Sequence, residues 1–152
     1  MSNSQALCTT FKTDLLNGIH AFGTTVVRGA TTKDSFKGAL YLASGSLGAA
    51  TAAYSATSEV SGTGYTAAGA AVTNATAPAA TGTTAFWTPS ASLAWTTVTL
   101  ATAFDALLIY NDTSAGKNAV GVFTFGSQTV TAGNFSLTMP TNDSSTGLIR
   151  LS

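Results

Sequence analysis

Two apolar runs joined by a polar turn constrain this chain more than any other feature. Phe104 to Tyr110 is nearly continuous apolar sequence, the mark of a strand covered on both faces. Asn111 to Lys117 then supplies Asn, Asp, Ser and Gly, a turn composition. Ala119 to Phe125 follows, with Val120 and Val122 facing one way and Phe123 and Phe125 mostly the other. The pair reads as a central hairpin.

Period-two patterning extends on both sides of that hairpin, from Gly23 onward. Thr24 to Arg28 is a short β-branched run. Ser35 to Ala43 alternates, with Phe36, Leu40 and Leu42 on one face and Lys37 and Tyr41 on the other, which predicts a half-buried strand. Ser44 to Gly64 is rich in Ser, Ala and Gly and reads as a long surface excursion with one short strand. Ala67 to Ala80 is similar, with a strand around Val72 that ends near Asn74. Further strands are expected at Thr83–Thr88, Leu93–Leu100, Asn134–Met139 and Leu148–Leu151. About eight strands at turn-punctuated spacing predict an antiparallel β-sandwich or jelly-roll.

The N-terminal segment differs. Leu7, Phe11, Leu15 and Ile19 recur every four residues, with Leu16 widening the stripe, Ser4 as a candidate cap and Gly18 near the end. The expected organisation is therefore an N-terminal helical segment over residues 1–22 and a β-sandwich domain over residues 23–152. Two roles suit such a helix: it covers an open end of the β core, or it docks its apolar stripe onto a partner.

Charge limits what the surface can meet. Charged residues are 8% of the chain, against about 25% in ordinary soluble domains, and six bases balance six acids. Thr, Ala, Ser and Gly supply more than half of the residues. Without clustered Lys and Arg, neither nucleic acid nor an anionic membrane is an expected partner. A neutral, lightly charged surface favours association between copies. No run approaches 18 apolar residues, so no spanning helix is expected. Cys8 is the only cysteine, which leaves no intrachain disulfide. The polar start shows no signal peptide, so the sequons at Asn74, Asn111, Asn134 and Asn142 read as chance and synthesis is expected in a cytoplasm.

Chemistry finds little purchase. His20 is the single imidazole, and on one helix with Cys8 it would stand roughly 18 Å away, too far for a dyad. The acids Asp14, Asp34, Glu59, Asp105, Asp112 and Asp143 are scattered singly, and zinc ligands are lacking. Ser61–Tyr65 holds a G-x-G without the third glycine or a following helix. Ser114–Asn118 has Asn111 where a phosphate loop needs its first glycine, and no Ser or Thr after Lys117. No catalytic residue, cofactor or metal is expected. Trp87, Trp95 and the phenylalanines alternate within strands and read as core. Tyr54 and Tyr65, set in small-residue loops, are candidate contact residues, together with Leu7, Phe11 and Leu15.

Several blocks resemble a recurring pattern in virion structural proteins of tailed bacteriophages. They are Asp34–Tyr41 (DSFKGALY), Ala52–Tyr54 (AAY), Glu59–Thr66 (EVSGTGYT), Ala106–Asn111 (ALLIYN) and Lys117–Gly126 (KNAVGVFTFG). The resemblance implies a non-enzymatic structural role. The expectation is a capsid decoration (cement) protein on the capsid surface of the virion, made in the bacterial host cytoplasm. Its partners would be the major capsid protein and copies of itself, as a trimer. The alternatives are a tail, collar or fibre component, or a carbohydrate- or receptor-binding module, which exposed Trp87 or Trp95 beside a carboxylate would favour.

Overall fold

The computed structural model describes residues 2–8, 10–11, 15, 19–22, 33–82 and 84–151. Among these the chain is mainly β, with eight strands in two antiparallel sheets. The strands are β1 (Ala6–Leu7), β2 (Phe36–Leu42), β3 (Ala70–Val72), β4 (Ala79–Thr81), β5 (Thr84–Trp87), β6 (Leu93–Asn111), β7 (Ala119–Leu137) and β8 (Ile149–Leu151). One sheet has the order β1-β7-β6-β2-β3 and the other β4-β5-β8, an arrangement consistent with a β-sandwich. The expected strand at Thr24–Arg28 lies outside the described residues.

The hairpin is the spine. β6 and β7 each run for 19 residues and pair from Leu93↔Leu137 to Tyr110↔Ala119. Each was expected as two shorter strands. Ala101–Ala103 and Gly126–Thr129, which look like breaks, are strand backbone with exposed side chains where the register shifts, and of these residues only Gln128 keeps a partner, Phe104. The apolar signal fades there because cover is lost on a stretch of irregular pairing, through which both strands nonetheless run on. Asn111 sets the turn: its Oδ1 accepts from the amides of Thr113 (2.9 Å) and Ser114 (3.1 Å), as turn-forming Asn does. Lys117 takes a φ of 48° and donates to Asp112 Oδ1 at 2.9 Å, which closes the turn read from the sequence.

Both faces of the spine are covered at the turn end, where Ala106 to Asn111 are all buried. By register, Leu107, Ile109, Phe36 and Leu40 share one face, and Ala106, Leu108, Tyr110 and Tyr41 the other. β2 is therefore buried on both faces, not on one as its alternation suggests. Tyr41 counts as polar in the pattern, yet it is 2% exposed because its hydroxyl donates to Ser55 O at 2.5 Å. On the first face Phe22 stacks on Phe36 (4.7 Å between centroids) and meets Trp87 of β5 at 4.8 Å. This aromatic column joins the two sheets.

The N-terminal segment departs from expectation. Leu7 does not begin a helix; with Ala6 it pairs as β1 onto Gly121 and Val122 of β7. Thr10, Phe11 and Leu15 are helical, residues 12–14 and 16–18, Gly18 included, lie outside the described set, and Ile19 to Phe22 are not helical. The four-residue spacing is real in sequence, but an available strand edge overrides local preference at Leu7.

Gly69 shows how tightly the loops press on this frame. Its φ is +77°, and a Cβ there would collide with the carbonyl of Gly38 on β2. Gly69→Ala is expected to cost at least about 2 kcal/mol, through both strain and collision. Urea unfolding measures this, and a change below about 0.5 kcal/mol would contradict the packing described.

Candidate assembly interface

The excursion between β2 and β3 organises itself around one carboxylate. Glu59 accepts hydrogen bonds from Tyr54 Oη (2.6 Å), Tyr65 Oη (2.8 Å) and the amide of Ala68 (2.8 Å). Tyr65 Oη also accepts from the amide of Leu40 on β2 at 3.0 Å. Tyr110 on β6 donates to Ala68 O at 2.8 Å, and its ring stacks on Tyr54 at 4.8 Å. All four tyrosines thus clamp the loop onto the face carrying Tyr41 and Tyr110. The G-x-G string has a mechanical role here. A Cβ on Gly62 would strike Thr99 O, and one on Gly64 would lie 2.6 Å from Thr97 O, so the small residues let the loop lie against β6.

Of the five contact residues expected from sequence, Tyr54 and Tyr65 therefore meet at Glu59 and are half-buried. Leu7 sits on β1, beside a groove of about 500 Å³ lined also by Gln5, Phe123 and Arg150. Phe11 is 1% exposed, and with the half-buried Leu15 it lines an apolar cleft beside Trp87 and Ile149. The five residues do not form one surface. Trp87 and Trp95 are 2% and 6% exposed, so neither offers a platform for a sugar ring.

Cys8 follows a strand, so the helical separation from His20 does not apply. The thiol is fully buried, and desolvation pushes its pKa up to about 11, which suppresses the thiolate. His20 lies buried with Nδ1 3.2 Å from Asn111 Nδ2, and that amide donates to Asp34 Oδ2 at 2.8 Å. Asp34 Oδ2 in turn accepts from the amide of Ala21 at 3.1 Å. This network anchors the N-terminal segment to the hairpin turn. Among the described residues, no three His, Cys, Asp or Glu side chains gather as a metal site would require.

The remaining surface of interest is the outer edge of β7, which residue-type reasoning about loops and aromatics missed. β1 pairs with β7 only at Gly121 and Val122. From Phe123 to Leu137 no other strand pairs with that edge among the described residues. Gly126, Ser127, Gln128, Thr129, Thr131 and Ala132 are exposed. From Asn118 to Asn142 the chain carries no Lys, Arg, Asp or Glu, and no Pro before Pro140. Soluble proteins usually shield such an edge with Lys, Pro or irregularity, and here only irregular pairing does so.

Comparison with protein-family models, with curated proteins and with solved structures finds no match.

The tyrosine clamp predicts the alkaline limit of stability. Burial first, then the Glu59 hydrogen bond and charge, push Tyr54 up to about 12. Burial is likewise the largest cause raising Tyr41, Tyr65 and Tyr110. A phenol whose folded pKa exceeds the unfolded value near 10 lends stability that is complete below about pH 10 and is lost as pH rises through the folded value. Melting temperature is therefore expected to hold to about pH 9.5 and to fall steeply beyond pH 10. Tyrosinate absorbance should rise with the unfolding, not before it. Glu59→Gln replaces the shared acceptor and is expected to cost roughly 1–3 kcal/mol in urea unfolding. An unchanged midpoint would show that the carboxylate does not hold the loop.

Proposed function

We propose that this chain is a virion structural protein of a tailed phage that binds the outside of the major capsid lattice and stabilises the head. Its two sheets act as the layers of a β-sandwich. The observation that carries the reading is the exposed, charge-free outer edge of β7, a surface built for strand or sheet contact and a liability on a free monomer. Many neutral contacts of this kind, each weak, stabilise a shell when symmetry repeats them.

The blocks that resemble phage virion proteins fall on the frame. Asp34–Tyr41 contains most of β2, and Glu59–Thr66 contains the clamp carboxylate and Tyr65. Ala106–Asn111 is the doubly covered end of β6, and Lys117–Gly126 ends the turn and opens β7. The resemblance thus concentrates on residues that pack on one another, which supports a shared architecture more than a shared partner surface. A tail, collar or fibre component would use the same edge at a different copy number.

The test is the mass-spectrometric copy number of this protein in purified particles, relative to the major capsid protein. A ratio near unity, or another simple lattice fraction, is expected. A handful of copies per particle would move the protein to the tail or collar. Absence from particles would overturn the structural reading altogether.

A further inference from the structure

We propose that His20 is a proton-sensitive latch: as a neutral imidazole it fastens Ile19–Phe22 to the hairpin turn, and protonation of the ring releases that segment and loosens the joint between the two sheets. The latch acts within a single copy and does not depend on assembly.

Asn111 decides where the ring proton sits. Its side chain is fully buried, and its Oδ1 accepts from the amides of Thr113 at 2.9 Å and Ser114 at 3.1 Å. A backbone N–H only donates, so the oxygen of the Asn111 amide must stay on that side. Its Nδ2 is thereby turned towards Asp34 Oδ2 at 2.8 Å, the carbonyl of Ile19 at 3.4 Å and His20 Nδ1 at 3.2 Å. An amide nitrogen is a donor only, so Nδ1 meets it as an acceptor. The network thus assigns the single ring proton of His20 to Nε2. A second proton would go on Nδ1 and set N–H against N–H across 3.2 Å. Turning the Asn111 amide over gives no relief. It would take the acceptor from both turn amides and point Oδ1 at the Asp34 carboxylate.

The surroundings also resist a charged ring. His20 is 7% exposed, and its ring lies among those of Phe11 (5.0 Å between centroids), Phe22 (6.0 Å) and Phe36 (6.2 Å). Little water reaches it to solvate a charge. Among the described charged groups near it, Asp34 would attract an imidazolium. That carboxylate is half-buried and its Oδ2 already accepts from Asn111 and from the amide of Ala21 at 3.1 Å. Lys33 is held at Asn74 O, and Asp112 is paired with Lys37 and Lys117.

The sign of the response follows. An exposed imidazole takes its proton near pH 6.5, whereas the fastened one excludes it, so the hold is complete above that pH and is lost as pH falls. Release of the segment withdraws Phe22, which stacks on Phe36 of β2 and meets Trp87 of β5. Acid therefore acts on the aromatic column that joins the sheets.

Nuclear magnetic resonance on the full-length chain tests the latch, because His20 is the only histidine and Trp87 and Trp95 are the only tryptophans. At about pH 7.5, long-range proton–nitrogen correlation should show the imidazole protonated on Nε2 alone. The ratio of released to fastened segment should rise about tenfold between about pH 7.5 and 5.5. The indole signal of Trp87, whose ring is 4.8 Å from Phe22, should move with the titration of His20 while that of Trp95 stays in place. His20→Phe keeps an aromatic ring among the phenylalanines and cannot titrate, so its Trp87 signal should be flat over that range. An Nδ1-protonated ring or an imidazolium at about pH 7.5 would overturn the proposal. So would a Trp87 signal that ignores the titration of His20, or one that moves together with Trp95. An equal response in His20→Phe would overturn it too. The tautomer and the two indole signals are read on the wild type, so they decide the matter even where the variant fails to fold.

Discussion

The long antiparallel pairing of β6 with β7 is the constraint on which the other elements depend. At its turn end the ribbon is apolar on both faces, from Ala106 to Asn111 and from Ala119 to Val122, so it is stable only if two independent layers cover it. The column of Phe22, Phe36 and Trp87 brings the second sheet to one face. The excursion held by Glu59 supplies the other. Towards its far end one face stays covered over Leu93, Trp95, Val98 and Leu100, and the other becomes mostly Thr, Ser and Ala. One chain thus carries a rigid root and a neutral, open extension.

The two covering layers are secured by different physics. Aromatic packing joins the sheets, and the indole of Trp87 is oriented by donation from Nε1 to Thr76 O at 2.9 Å. The excursion, poor in apolar side chains, relies on hydrogen bonds to a single carboxylate and on glycines that allow backbone to touch backbone. A loop of small residues has little apolar area to bury, and charge-assisted hydrogen bonds replace that missing term. Hydrogen bonds among His20, Asn111 and the half-buried Asp34 tie the N-terminal segment to the hairpin turn.

Much of this frame is legible in the sequence. The run from Phe104 to Tyr110, the turn chemistry of Asn111 and the alternation after Ala119 locate the hairpin and its doubly covered half. What the pattern misses has physical reasons. Periodicity reports burial, so the exposed, irregularly paired middles of β6 and β7 look like loops although both strands run through them. Tyr41 reads as a polar position because the pattern does not register a ring buried with its hydroxyl satisfied. Leu7 fits a helical stripe, but the open edge at Gly121 and Val122 is a long-range partner that local spacing does not encode. Tyr54 and Tyr65 look isolated because Glu59, their common partner, becomes central only once the loop closes on β2. The β7 edge lies in a stretch without charge, but the longer charge-free run Val60–Phe104 keeps that signal from singling it out.

The central claim is that the open extension of the ribbon is covered by assembly. Hydrogen exchange read by mass spectrometry, on the dilute chain and on purified particles, tests it most directly. Residues 106–110 and 119–122 should exchange slowly in both. The outward amides of residues 126–134 should exchange quickly in the dilute chain and become protected in particles. Equally fast exchange of 126–134 in both states would contradict the account.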